Sequence, residues 1–307
     1  MTISDVIFRI KKYHYGYVSG PNGPVRIMDR TSRDQILYGN PDQECTGIVT
    51  TCWANIDVIR NAGALGANLI ICHEALFWNH GDHTEWLKEE KNQTFQKKTE
   101  LLDQYGIVVW RDHDYIHSGI PLPDGSYVDG IFYGLAKTLG WENNIDYSTA
   151  RKIDSAEGWK TLALEDKINP ISYILPTTTV RELAELLIHK LHLNGVRVIG
   201  NPDMKLSRVS VPFHIFGDAN YAITLANQGE VDCFLTMEAV DYTLSEYVRD
   251  SSMTDHELAI INMGHFNVEE PGMRYMITYL PEAIGEPIPC HFVQSGDNYD
   301  YILRTKQ

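Results

Sequence analysis

Residues 69–83 read L-I-I-C-H-E-A-L-F-W-N-H-G-D-H. A short, unbroken apolar run rich in β-branched residues has the character of a strand buried on both faces. It stops at His73-Glu74, two adjacent groups that bind both protons and metals. Inside a strand their side chains point to opposite faces, but at its end the turning backbone lets both face one cavity. In α/β folds the carboxyl end of a strand is also where ligands gather. For an isolated His-Glu pair, one buried imidazole beside one exposed carboxylate is the simpler reading. The weight therefore comes from the surrounding chain.

Strand-like runs recur at 47–52, 67–73, 106–112, 171–176, 196–199, 208–213, 231–236, 258–263 and 291–294. Helical patterns lie between them: N-I-D-V-I-R-N-A-G-A-L, F-Q-K-K-T-E-L-L-D-Q-Y, T-V-R-E-L-A-E-L-L-I-H-K-L and P-G-M-R-Y-M-I-T-Y-L. This alternation predicts the α/β class. Thr179 followed by Glu182 predicts a capping box at the third helix. S-G-I-P-L-P-D-G-S-Y-V (118–128) reads as a surface loop, and weak periodicity over 141–170 marks a junction between two lobes, residues 1–145 and 146–307.

Composition narrows the function. The 307 residues are 43% hydrophobic, enough for one large or two medium cores. Forty-one acidic against 26 basic residues give a net charge of −15, which argues against a duplex nucleic-acid groove. No run of 18 apolar residues exists, so no membrane span is expected, and the opening M-T-I-S-D-V-I-F-R-I-K-K-Y lacks a signal core, so a cytoplasmic protein is expected. Five scattered cysteines without a CxxC pair read as reduced thiols, with Cys72 and Cys233 packed inside strands. G-P-N-G-P near residue 20 precedes no GK[ST], so there is no P-loop, and no G-x-S-x-G elbow occurs.

Two further strand ends carry similar groups. After G-I-V-V-W-R comes D-H-D-Y-I-H, with His113 and His117. Their i, i+4 spacing places both on one face if the segment is helical, and implies nothing if it is a loop. After L-A-I-I-N-M comes G-H-F-N-V-E-E-P-G, where Gly264 allows a tight exit and His265 and Glu269 are again i, i+4. Glu269 can equally serve the dipole of a helix start, with Pro271 in an early turn. Mixed imidazole and carboxylate sets suit Zn, Mn, Fe or Co rather than Ca or Mg. Five or six such groups exceed the needs of one tetrahedral ion and suit two ions about 3.5–4 Å apart sharing a water or hydroxide.

These motifs resemble those of the Nif-three-like dinuclear-metal proteins, also known as GTP cyclohydrolase I type 2 homologues. L-Y-G-N-P-D-Q-E-C-T-G-I-V-T-T-C, L-I-I-C-H-E-A-L-F-W, V-V-W-R-D-H-D-Y-I-H-S, F-L-T-M-E-A-V and G-H-F-N-V-E-E-P-G-M-R-Y-M follow one another in the family's order over about residues 37 to 280. The resemblance implies metal ligands at His73, Glu74, His117, His265 and Glu269, with His113 a near neighbour of the metals. It departs from the family twice: Glu74 stands for an imidazole, and His117 for a bridging carboxylate that an imidazole cannot replace as a bridge. It also implies two similar three-layer α/β lobes with mixed sheets, the last segment returning to the metal site of the first lobe, and a toroidal homohexamer.

The function expected is a metal-dependent hydrolase acting on a purine nucleotide or phosphoester, with His113 or Glu238 moving a proton. The alternative is a non-catalytic metal-binding regulatory or scaffold assembly. Arg111 is a candidate to meet phosphate. His80, Asp82 and His83 read as a polar loop or as minor ligand contacts, and Trp78 and Tyr115 as packing or as walls for a planar ligand.

Overall fold

The structure, a computed structural model, describes residues 1–20, 23–79, 81–146, 151–154, 160–163, 171–212 and 219–303. It divides into two compact units. The first comprises Met1–Gly134, Lys152–Ala163 and Gly272–Ser295, and the second Leu135–Arg151, Leu164–Pro271 and Gly296–Gln307. Much of the 141–170 stretch read as a junction lies outside the described residues, as does His80.

The first unit is built on a five-stranded sheet in the order Cys290–Phe292, Ile48–Thr51, Leu69–Cys72, Val108–Arg111, Ile36–Tyr38. The first four strands run parallel and the last is antiparallel. The three central strands are buried at every position, as their unbroken apolar runs require. On one face Val49, Ile70, Cys72 and Val109 pack with Val58, Ile59 and Ala62 of helix Ile56–Ala64 and with Phe95 and Leu102 of helix Gln93–Tyr105. Thr50 points to the opposite face and donates its hydroxyl to the Met273 carbonyl at 2.7 Å. Helical segments thus cover both faces of this sheet.

The second unit repeats the scheme. Its sheet runs Ile171–Thr179, Lys205–Val211, Cys233–Thr236, Ala259–Asn262, Arg197–Ile199, with a parallel centre and an antiparallel strand at each edge. Phe234 and Ile260 form its core with Ala222, Ala226, Leu244 and Val248. The capping box at helix Val180–Leu191 is present: Thr179 Oγ1 accepts the Glu182 N–H at 3.2 Å and the Glu182 carboxylate accepts the Thr179 N–H at 2.9 Å.

Every strand-like run read from the sequence contains a strand. Several local readings change, and strands the pattern did not announce include Tyr17–Gly20, Gly23–Arg26, Arg151–Asp154 and Lys160–Ala163. Ile36–Tyr38 is an edge strand that the pattern did not announce, because three half-exposed residues carry no periodicity. Residues 118–128 hold a hairpin in which Ile120–Pro121 pairs with Tyr127–Val128. Its buried Ile120 and Val128 are masked in the sequence by two prolines and an Asp-Gly turn. Pro271 is the seventh residue of helix His265–Met276, beyond the first-turn positions where its missing N–H is free. All five cysteines are free, four of them buried. Among the described residues no helix is long and apolar enough to cross a membrane.

Candidate metal centre

The parallel register Cys72↔Arg111 brings the end of the Leu69–Cys72 strand beside Asp112 and His113. The N–H groups of His73 and Glu74 both donate to the Cys52 carbonyl, at 3.0 and 2.9 Å, and so fix the turn that leaves the sheet. Both residues are buried. His73 Nδ1 donates to the Asp112 carbonyl at 3.1 Å, which places the lone pair of the neutral ring on Nε2.

The segment after Arg111 is a single helical turn, Asp114–Ser118, with the His117 N–H donating to the His113 carbonyl at 3.2 Å. Buried Asp34 pins this turn by accepting the N–H of His113 at 2.8 Å and of Tyr115 at 3.2 Å. His117 Nδ1 lies 2.7 Å from Asp129 Oδ2, whose carboxylate is almost fully buried. The other oxygen, Asp129 Oδ1, accepts the N–H groups of Ile131 and Phe132 at 2.9 and 3.1 Å, capping helix Gly130–Leu139.

His73, His113 and His117 each offer a ligand atom, and these lie within 4.8 Å of one another, a group that can hold a metal ion. Orientation is more selective than distance. A bound ion lies in the plane of each imidazole that binds it. The rings of His73 and His113 are stacked at 4.5 Å with planes 9° apart, so their planes do not meet near the cluster. The planes of His73 and His117 cross at 71° with centroids 4.9 Å apart. His117 also crosses the His113 ring, at 63° with centroids 5.0 Å apart, so orientation sets His73 and His113 apart as a stacked pair and makes His117 the ring placed to share an ion with either of them. Burial holds the His113 pKa well below the ordinary imidazole range, and the adjacent His73 and His117 push the same way. Its Nδ1 lies 3.0 Å from Asp114 Oδ1, and an Arg33 guanidinium nitrogen lies 3.0 Å from its Nε2.

In the second unit, Thr236 and Asn262 are register partners, so the residues that follow them leave the same end of the sheet. Gly264, at φ +93°, makes the tight exit, and an added Cβ there would meet Asn267 Nδ2 at 3.2 Å. His265 then opens its helix with Glu269 one turn on. His265 Nδ1 lies 2.5 Å from Glu238 Oε1, and its Nε2 lies 3.2 Å from Glu269 Oε2. Two donors about 2.05 Å from one ion, at angles of 90–110°, are about 2.9–3.4 Å apart, so the second separation fits a ligand edge.

The remaining candidates have structural partners. Asp82 accepts the Phe77 N–H at 2.7 Å and pairs with Arg111 at 3.1 Å, both side chains almost fully buried. Arg111 also donates to the Arg33 carbonyl, so it is committed inside the fold rather than set out to meet phosphate. The Tyr115 hydroxyl donates to Asp29 at 3.3 Å beneath Lys11, a packing role. Trp78, at φ +65°, covers the Lys98 amine at 5.5 Å.

Sequence reasoning missed Asp34, Asp112 and Asp129. Only Asp129 left a local signal, an Asp-Gly pair before the apolar run I-F-Y-G-L-A, which reads as an N-cap.

Mixed sheets that present imidazoles and carboxylates at the carboxyl ends of their strands define an α/β scaffold with groups that can hold metal. The Duf34/NIF3 (NGG1p interacting factor 3) family model matches residues 28–298, and the chain belongs to that family. It is 22% identical over 291 residues to the GTP cyclohydrolase 1 type 2 homolog of Chlamydia trachomatis, spanning 92% of this chain and 94% of that protein. The Bacillus cereus protein related to NIF3 has the same fold at a TM-score of 0.63 with 16% identity, over 98% of this chain and 99% of that one. A Staphylococcus aureus hypothetical protein does so at 0.62 with 18% identity, over the same shares of the two chains.

Proposed function

We propose that this protein is a metal-dependent hydrolase with a dinuclear centre of Zn, Mn, Fe or Co. The ligands proposed for the ions are His73, Glu74, His117, His265 and Glu269. The observation that carries this reading is shared by all three ligand imidazoles. Each is tied through Nδ1 to an oxygen: the Asp112 carbonyl at 3.1 Å, Asp129 at 2.7 Å and Glu238 at 2.5 Å. Metal-binding histidines are oriented in this way, with the second nitrogen left for the ion.

The bound ions would lower the pKa of a water to about 7 and polarise the bond under attack. The protein's own groups do the rest. His113, stacked on the His73 ring beside the cluster, is the group assigned to move a proton. Glu238 keeps the His265 ring in one orientation and can pass a proton to a leaving group. Arg33, half exposed and also paired with Asp114 at 3.7 Å, is the cation beside the cluster that can meet a phosphate. The substrate is a purine nucleotide or another phosphoester, in keeping with the name of the Chlamydia relative. The protein works as a cytoplasmic homohexamer, the assembly the family resemblance implies.

One observation favours a non-catalytic metal-binding role: His117 stands where a bridging carboxylate is expected, and a neutral imidazole binds one ion only. Untagged protein loaded with Mn or Zn should turn over members of a nucleotide and phosphoester panel, and His265→Ala should lose that turnover. Inactivity across the panel, with a Tm that still rises on metal addition, would favour the non-catalytic role.

A further inference from the structure

We infer that Asp129 is a positioning residue that makes His117 a competent metal ligand, supplying from outside the coordination sphere the negative charge that a carboxylate at position 117 would supply directly. The inference rests on the proposal that His73 and His117 share an ion.

The geometry leaves Asp129 little freedom. Oδ1 receives two backbone N–H groups at the start of helix Gly130–Leu139, and Oδ2 receives His117 Nδ1 at 2.7 Å. A carboxylate bound to imidazole Nδ1–H fixes the tautomer with its lone pair on Nε2 and makes that nitrogen more basic. The ring is hemmed in by Phe132 at 5.9 Å and by His73 at 4.9 Å between centroids, so rotation would cost packing as well as the hydrogen bond.

A purely structural role explains less. Capping a helix uses one oxygen, and Asn serves there as well as Asp. Capping does not account for the second oxygen committed to an imidazole, nor for three imidazoles with centroids 4.5–5.0 Å apart where apolar side chains would pack without desolvation cost.

The test is Asp129→Asn in the full chain. Asn keeps the cap through its Oδ1 but presents an amide N–H₂ where His117 needs an acceptor. Zn²⁺ affinity by chelator competition should fall 10–100-fold, and the visible spectrum of the Co²⁺-loaded protein should shift. The Tm of the metal-free protein should change by no more than a degree or two. A double-mutant cycle removes any ambiguity from folding: in a His117→Ala background, Asp129→Asn should leave the residual affinity unchanged. Wild-type affinity in Asp129→Asn, or an equal loss in both backgrounds, overturns the inference while leaving the metal site standing. A His117→Ala variant that binds Zn²⁺ like wild type overturns the shared-ion reading itself.

Discussion

His265 Nε2 and Glu269 Oε2 lie 3.2 Å apart on adjacent turns of one helix, while His265 Nδ1 is held by Glu238 at 2.5 Å. The ring is thus braced on one side and paired with a carboxylate on the other, at the spacing two ligands of one ion adopt. Glu269 is buried, and placing a carboxylate there has a desolvation cost that a cation would offset.

The first prediction follows from that bracing. His265→Ala and Glu269→Ala should each reduce bound metal, measured by elemental analysis of untagged protein. Glu238→Gln should retain the metal but weaken its affinity, by up to about 10–100-fold, because the amide oxygen can still accept from Nδ1 but no longer carries the negative charge. Equal metal content in all three variants would remove this cluster from the site.

Asp82 and Arg111 form a buried ion pair beneath the loop that follows His73. Removing one partner leaves a buried charge uncompensated, so Asp82→Ala should destabilise the fold by about 3–5 kcal/mol. Asp82→Asn, which can still accept the Phe77 N–H, should cost less. Urea unfolding with unchanged m-values measures both.

Lys98 gives a pH signature. Burial pushes its amine down to about 8, while Nζ donates to the Leu76 carbonyl at 2.7 Å among Trp53, Phe77 and Trp78. The unfolded amine titrates near 10.4. Between these values the unfolded chain binds more protons, so stability rises with pH across this window and the contribution is flat below pH 8. Relative to Lys98→Met, wild-type stability should rise by up to about 3 kcal/mol from pH 7.5 to 10.5. Parallel pH curves for the two proteins would contradict this placement of the amine.

Gly272 marks a close backbone contact within the first unit. A Cβ there would lie 2.4 Å from Ile131 Cα and 2.8 Å from its carbonyl oxygen, neither of which can yield by rotating a side chain. Gly272→Ala should therefore cost about 2–3 kcal/mol in urea unfolding. Because the Ile131 N–H binds Asp129, the same variant should also weaken Zn²⁺ binding.

The α/β class was legible in the sequence because buried parallel strands need unbroken apolar runs such as L-I-I-C and A-I-I-N, and amphipathic helices need their own period. His73, His113, His117, His265 and Glu269 were legible as candidates because each follows such a run within a few residues. The oxygens that orient them were not. Asp129 meets His117 across twelve residues and a hairpin that two prolines disguise, and the Asp112 acceptor is a backbone carbonyl, which no residue type announces. Spacing could not show that the rings of His73 and His113 stack while His117 crosses both.

The central claim is the proposal that this chain holds a pair of metal ions. X-ray absorption at the metal edge of untagged, Mn- or Zn-loaded protein tests it most directly. The expected result is two ions per chain with a metal–metal distance of about 3.5–4 Å. A single ion per chain, with only nitrogen and oxygen neighbours and no second metal within range, would contradict it.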